Sequence, residues 1–291
     1  MFPMVALSLK DVSFRYGESS TLALDGVTLD VQKGEFVSVL GGNGAGKSTI
    51  CLLSNGLIPH AVKGELEGKV EVFGLDTRQH SVAELSTRVG IVFQEPESQL
   101  FCMTVEEEVA FGPENLGVPR EEIRERVEWA LELVGLSGMN DRSPHNLSGC
   151  EKQRAAIAAA LSMRPEMLVL DEPAYALDPV GRVELFKVLK ELKERHRVAV
   201  LFADRDSEEA ALYSDRIVLV DHGRIVAQGP PKAVLKDPHA LLSLGVTPPQ
   251  MSEVAALLNE RIPGNGFDFL SVDEAERAIV DRLWPKRGVL E

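Results

Sequence analysis

The chain has 291 residues, enough for a substantial core built as one main domain with an appendage. Its 44% hydrophobic and 26% charged content is that of a soluble globular protein, and 31 basic against 45 acidic residues give a net charge of −14, which argues against a nucleic-acid partner and is read as solubility. Cys51, Cys102 and Cys150 lack C-x-x-C spacing and so suggest neither a disulfide framework nor a zinc site; with no apolar run of about 18 residues and no secretory signal at Met1–Leu7, the chain is expected in the cytosol, or on a membrane only through another chain.

In chain order, strands are predicted at Leu7–Leu9, Val12–Tyr16 and Val27–Val31, with turns at Gly17 and Lys33-Gly34. The apolar run Glu35–Leu40 reads as a buried strand, and Ile50–Ser54 as the start of a helix. Between them, Gly41-Gly42-Asn43-Gly44-Ala45-Gly46-Lys47-Ser48-Thr49 fits G-x-x-x-x-G-K-[ST]. A strand that turns sharply into a helix aims consecutive N–H groups and the positive helix end at one point. Glycines let the backbone wrap a phosphate, Lys47 can reach β- and γ-oxygens, and Ser48 can ligate Mg²⁺. A nucleoside triphosphate is therefore the expected ligand.

Further strands are predicted at Lys69–Gly74 and Val89–Phe93. From about residue 104 to 145 the texture becomes helical; Arg120–Val134 carries Ile123, Val127, Ala130, Leu131 and Val134 at helix spacing. Strands return at Met167–Leu170, Val198–Phe202 and Arg216–Val220, with helices between them. Near-continuous apolar strands alternating with helices imply a parallel sheet covered on both faces, interrupted by the helical insertion. The expected division is residues 1–240 as the main domain, with the insertion at about 100–155, and residues 241–291 as a small helical extension suited to dimerisation.

Two acids close the strand Met167–Leu170. Beside a phosphate loop, Asp171 can hold Mg²⁺ through water and Glu172 can polarise the water attacking a γ-phosphate. Ser148 and Glu151 have capping-box spacing at the start of an Ala-rich helix; the alternative for Ser148-Gly149 is a second helix N-terminus for phosphate.

This set resembles the ATP-binding subunits of ATP-binding cassette (ABC) transporters over nearly the whole chain. Val92–Phe101, Val109–Gly117, Leu244–Gln250 and Ser271–Ala275 are similar to the ATPase components of energy-coupling factor importers of vitamins or transition-metal ions. The resemblance implies an α/β fold: a P-loop NTPase nucleotide-binding domain with a RecA-like parallel core, an N-terminal antiparallel β subdomain, an inserted helical subdomain and an α-rich extension. It also implies that the loop residues Gly41 to Thr49 bind ATP, with Mg²⁺ at Ser48, Gln94 and Asp171. Tyr16 would stack on adenine, and Gln94 would report nucleotide state to a membrane partner. Ser148-Gly149 would reach across a dimer to the opposite γ-phosphate, and Ala176-Leu177-Asp178 would cross between the two sites. The implied partners are a second ATPase subunit, with a heterodimer favoured, a transmembrane coupling subunit and a substrate-binding membrane subunit. The implied place is the cytoplasmic face of the cell membrane, peripherally.

Two positions depart from the family pattern. Cys150 stands where the signature has a second glycine, its sulfur expected to point into phosphate space with a thiol pKa lowered by the helix end, or else to be a tolerated small residue. Arg205 stands in the place of the switch histidine, since Asp206-Ser207-Glu208-Glu209-Ala210 fixes the register. Arginine only donates hydrogen bonds, so it cannot take a proton from the attacking water. Loss of one group positioned around developing charge costs about 10²–10³ in rate. Near-normal ATP binding with slowed hydrolysis is expected, and a regulatory nucleotide-binding subunit is the alternative role. A cassette ATPase acting on ribosomes or DNA is disfavoured by the single phosphate loop and the lack of long coiled-coil insertions.

Overall fold

The computed structural model describes residues 4–174 and 177–283. Two sheets share one core. The first strand, β1 (Val5–Tyr16), pairs antiparallel with β2 (Leu24–Gln32), and β3 (Phe36–Leu40) starts the second sheet. After the phosphate loop and the helix Lys47–Ser54, the chain returns through β4 (Gly64–Val72) and the short β5 (Leu75–Asp76). The four-stranded antiparallel sheet has the order β2-β1-β4-β5.

The second sheet gains β6 (Val89–Val92), β7 (Met167–Asp171), β8 (Ala199–Asp204), β9 (Arg216–Asp221) and β10 (Arg224–Gly229), in the order β10-β9-β3-β8-β7-β6. All neighbours are parallel except β10, which runs antiparallel to β9. Every residue of β3, β7 and β8 is buried, as expected for strands covered on both faces. One apolar cluster joins the antiparallel sheet to the helix Lys47–Ser54 and the central strands. Another lies on the opposite face, under the inserted helices Val105–Asn115, Arg120–Leu133 and Gly149–Ser162.

The strands differ from expectation in three places. The two predicted N-terminal strands are one: the register of β1 against β2 shifts between Leu9 and Val12, where Asp11 takes φ 51°, so the alternation breaks without ending the strand. β5 has only two residues, too few for a period. β10 alternates exposed and half-buried residues along the sheet edge, where little apolar signal is needed. Beyond residue 240, Leu241, Val246 and Leu270 pack with Leu40, Ile217 and Leu219, whereas Phe267, Phe269, Ala255 and Ala275 form their own cluster. Residues 284–291 of the predicted extension lie outside the described residues.

Candidate nucleotide site

The carboxyl ends of β3, β7 and β8 lie side by side, because Leu40 pairs with Asp204 and Asp171 with Ala203. The phosphate loop leaves β3 at Gly41, where a Cβ would lie 2.3 Å from the Val220 carbonyl oxygen. It ends at Gly46, whose φ of 111° belongs to glycine, and enters the helix Lys47–Ser54. Lys47 folds back over the loop and is 4% exposed. Its Nζ donates to the carbonyls of Gly41 at 2.9 Å and Gly42 at 3.1 Å, and lies 3.1 Å from Glu172 Oε1.

Glu172 follows β7 with φ 46°, a left-handed conformation uncommon for a residue with a Cβ. Its N–H donates to Ala203 O at 2.8 Å, which turns the side chain toward the loop. Oε2 accepts from Gln94 Nε2 at 3.1 Å. One carboxylate thus spans the loop lysine and the glutamine after β6. Tyr16 and Thr49 share a hydrogen bond of 2.9 Å, and Phe14 supports the Tyr16 ring edge-on.

A cleft of about 380 Å³ is lined by Tyr16, Ala23, Asn43, Gly44, Gly46, Lys47, Ser48, Thr49, Gln94 and Glu172. Gly41, Gly42 and Ala45 are not among the lining residues, Gly41 and Ala45 being buried and Gly42 half-buried, and Asp171 lies buried next to Glu172 in the chain. Arg205, Ser148 and Gly149 are not among the lining residues. Ala176 of the predicted crossing loop lies outside the described residues; Asp178 caps the next helix by accepting the Gly181 N–H at 2.7 Å.

Burial raises the Asp171 pKa; the Ser48 hydrogen bond lowers it, the neighbouring Glu172 charge raises it and Lys47 lowers it. Its Oδ1 is buried without a hydrogen-bond partner, which suits a cation or its water. Among the described residues no group of three or more His, Cys, Asp or Glu is placed to hold a metal ion by itself. A cation here would therefore rest on Asp171, Ser48, the Gln94 amide oxygen and phosphate oxygens, a donor set that fits Mg²⁺.

The switch segment is ordered by its acids. Asp204, 5% exposed, accepts the backbone N–H groups of Arg205 at 2.7 Å and Asp206 at 3.2 Å. Burial pushes its pKa up to about 6, against the pull of those two N–H groups and of Arg182. Arg182, on the helix Pro179–His196, pairs with Asp206 at 2.8 Å, with Glu209 at 3.8 Å and with Asp204 only at 4.0 Å. That distance explains why Arg182 fails to hold Asp204 at an ordinary value. Arg182 escaped sequence reasoning because its partners lie far along the chain, and no local spacing joins them.

At the signature, Ser148 caps its helix in a reciprocal box with Glu151, and a Cβ on Gly149 would meet nothing within 4 Å. The expected direction of the Cys150 sulfur and its expected lowered pKa are corrected. Its sulfur points inward, toward the first turn of the helix Pro179–His196: a Cβ on Gly181 would lie 2.8 Å from Cys150 Sγ. The thiol pKa is raised, since burial, Asp178 and Glu184 outweigh Arg154.

Strand, glycine-bearing turn and helix, with a lysine and a strand-end carboxylate across a cleft, define a phosphate-loop nucleotide-binding protein. Residues 24–175 match the ABC transporter family. The chain is 42% identical to the energy-coupling factor transporter ATP-binding protein EcfA1 of Clostridium novyi over 94% of this chain and 97% of that one. It resembles the structure of cbiO1 from Clostridium perfringens, part of the ABC transporter complex cbiONQ, at TM-score 0.74 and 33% identity, covering 90% and 97% of the two chains. It also resembles the ATP-binding cassette MJ0796 in a dimeric post-hydrolysis state with ADP and Pi, at TM-score 0.67 and 29% identity, covering 77% and 98%. The chain belongs to the ABC transporter family, as an ATP-binding ATPase of the energy-coupling factor type.

Proposed function

We propose that this ATPase is the peripheral subunit of an energy-coupling factor importer, binding and hydrolysing ATP at the interface of a two-cassette dimer to drive uptake of a vitamin or transition-metal ion. The carrying observation is the span Lys47–Glu172–Gln94 across the cleft. Lys47 holds the β- and γ-oxygens of ATP in exchange for its contact with Glu172, which leaves that carboxylate to polarise the attacking water. Tyr16 receives the adenine ring. Asp171, Ser48 and Gln94 would hold Mg²⁺, which would supply neutralisation of phosphate charge. Ser148 and Gly149, open on the surface, reach the γ-phosphate bound by the facing cassette. Dimeric MJ0796 with ADP and Pi supports this sandwich, and cbiO1 as part of cbiONQ supports membrane partners.

Among the described residues no helix is long and apolar enough to cross a membrane. The membrane subunit docks beside Gln94, where Phe101 and Met103 are exposed and Phe101 meets Phe111 edge-on. Residues 241–291 form a further dimerisation unit. Arg205 specifically favours a second reading, a hydrolysis-impaired regulatory subunit paired with a more complete ATPase. Glu172→Gln tests the two in the assembled complex. An ATP-hydrolysing subunit loses about 10²–10⁴ in phosphate release while still binding ATP; unchanged turnover of the complex refutes hydrolysis at this Glu172 and leaves the regulatory reading.

A further inference from the structure

After the helix Pro238–Ser243, the chain turns back to the nucleotide cleft. The segment Leu244–Thr247 lies between the phosphate loop and the switch and bonds to both. The Gly42 N–H donates to the Leu244 carbonyl at 3.0 Å. The Thr247 N–H donates to the Arg205 carbonyl at 2.8 Å, and the Thr247 carbonyl accepts from the Ser207 N–H at 3.2 Å and from Ser207 Oγ at 2.6 Å. Asp206 and Thr247 form a parallel bridge, and the Gln250 N–H donates to Glu208 Oε2 at 2.8 Å. Val246 anchors the segment in the cluster that contains Leu40, at the foot of the phosphate loop.

Two glycines make the approach possible. Gly245 has φ +70°, and a Cβ there would lie 3.0 Å from Gly42 Cα. A Cβ on Gly42 would lie 3.0 Å from the Leu244 carbonyl oxygen. Backbone thus meets backbone, with no flexible side chain to yield. The contact engages the Gly42 N–H, and the Gly42 carbonyl in turn accepts from the Ala45 N–H at 3.2 Å.

We infer that Leu244–Thr247 is a positioning strap for the ATP site, holding the phosphate loop at Gly42 and the switch at Arg205–Ser207 in one frame. Gly245 and Ser207 are its positioning residues; neither is among those lining the cleft. The strap makes the start of the C-terminal extension part of the catalytic framework. Placement errors of about 1 Å at a reacting centre cost about 100-fold in rate, so a strap that fixes backbone on two sides acts on the reaction without touching ATP. The inference rests on the reading of the cleft as the ATP seat.

The test uses the full chain and three variants, with Kd for MgATP by equilibrium dialysis and phosphate release at saturating ATP. Gly264 has φ +93° and nothing within 4 Å of a Cβ, so Gly264→Ala carries the same kind of backbone strain away from the loop. Gly245→Ala is expected to raise Kd by about tenfold or more, and Gly264→Ala to leave it within about twofold. Ser207→Ala, which deletes only the Oγ–H donated to Thr247, is expected to slow phosphate release at least about fivefold with Kd unchanged. Equal Kd values for the two glycine variants overturn the phosphate-loop contact, and wild-type release by Ser207→Ala overturns the switch contact. If Gly245→Ala does not fold, the Ser207 result decides. A wild-type chain that is folded but takes up no ATP refutes the ATP reading itself, and the strap with it.

Discussion

Asp204→Asn should remove a pH dependence of stability that the wild-type chain carries. Asp204 is buried at the end of β8, and its pKa rises from the ordinary 3.8 to about 6. A carboxyl with a raised folded-state pKa binds its proton more tightly folded than unfolded. Its stabilising contribution is therefore full below the unfolded value and is lost as pH climbs through the folded value, which places the window between about pH 4 and 6. Taking those two pKa values, the wild-type chain loses about 1.4 kcal/mol between pH 5 and pH 8 from this group alone. Asparagine keeps an Oδ1 to accept the N–H groups of Arg205 and Asp206, so the local turn survives. The attraction of Arg182 at 4.0 Å grows as Asp204 ionises and is already contained in the folded-state pKa, so its loss adds no separate pH dependence. Urea unfolding of both proteins at pH 5 and pH 8 gives the double difference, in which other titrations cancel. The variant should gain on the wild type as pH rises. Parallel stabilities at the two pH values would show that Asp204 titrates like an exposed carboxyl and would refute the reasoning.

Two further outcomes follow from the departures at the switch and the signature. Arg205→His should speed phosphate release by about 10²-fold at saturating ATP with Kd little changed, because histidine can accept a proton where arginine only donates; equal turnover of the two proteins rejects a slowed switch. Cys150 should alkylate with iodoacetamide at neutral pH more slowly than a free thiol, because its raised pKa leaves little thiolate. Peptide mass spectrometry following modification over time gives the rate, and faster labelling than free cysteine contradicts the half-buried, acid-flanked environment.

The parts legible in the sequence are those set by local spacing. The phosphate loop carries its glycines, lysine and hydroxyl in nine consecutive residues, Gly41 to Thr49, and its flanks announce strand and helix. The buried strands β3, β7 and β8 announce themselves by apolar runs. The Ser148 cap is readable because its partner Glu151 is three residues away. What stayed hidden depends on residues far apart in the chain. Arg182 meets Asp206 and Glu209 only because the helix Pro179–His196 packs beside the segment after β8. Leu244 reaches Gly42 across some two hundred residues of chain, so the glycine at 245 reads in sequence as an ordinary turn. The direction of the Cys150 side chain was likewise invisible. A helix N-terminus fixes the backbone N–H groups, but the packing of a second helix decides where the sulfur lies.

That second helix explains how a non-glycine signature position coexists with a regular fold. At Gly181 an added Cβ would lie 2.8 Å from Cys150 Sγ and 2.9 Å from Asp178 Oδ1, so the missing side chain makes room for both the sulfur and the cap. The next residue, Arg182, faces the switch acids. One helical turn therefore carries the contact to the signature helix on one side and the ion pair to the segment bearing Arg205 on the other. Cys150 and the acids flanking Arg205, distant in sequence, meet the same helical turn. A side chain at 181 would have to move either Cys150 or the Asp178 cap. Loss of the cap would free the first turn that holds Arg182 against Asp206, so the geometry around Arg205 depends on a glycine that lies outside every motif visible in the sequence.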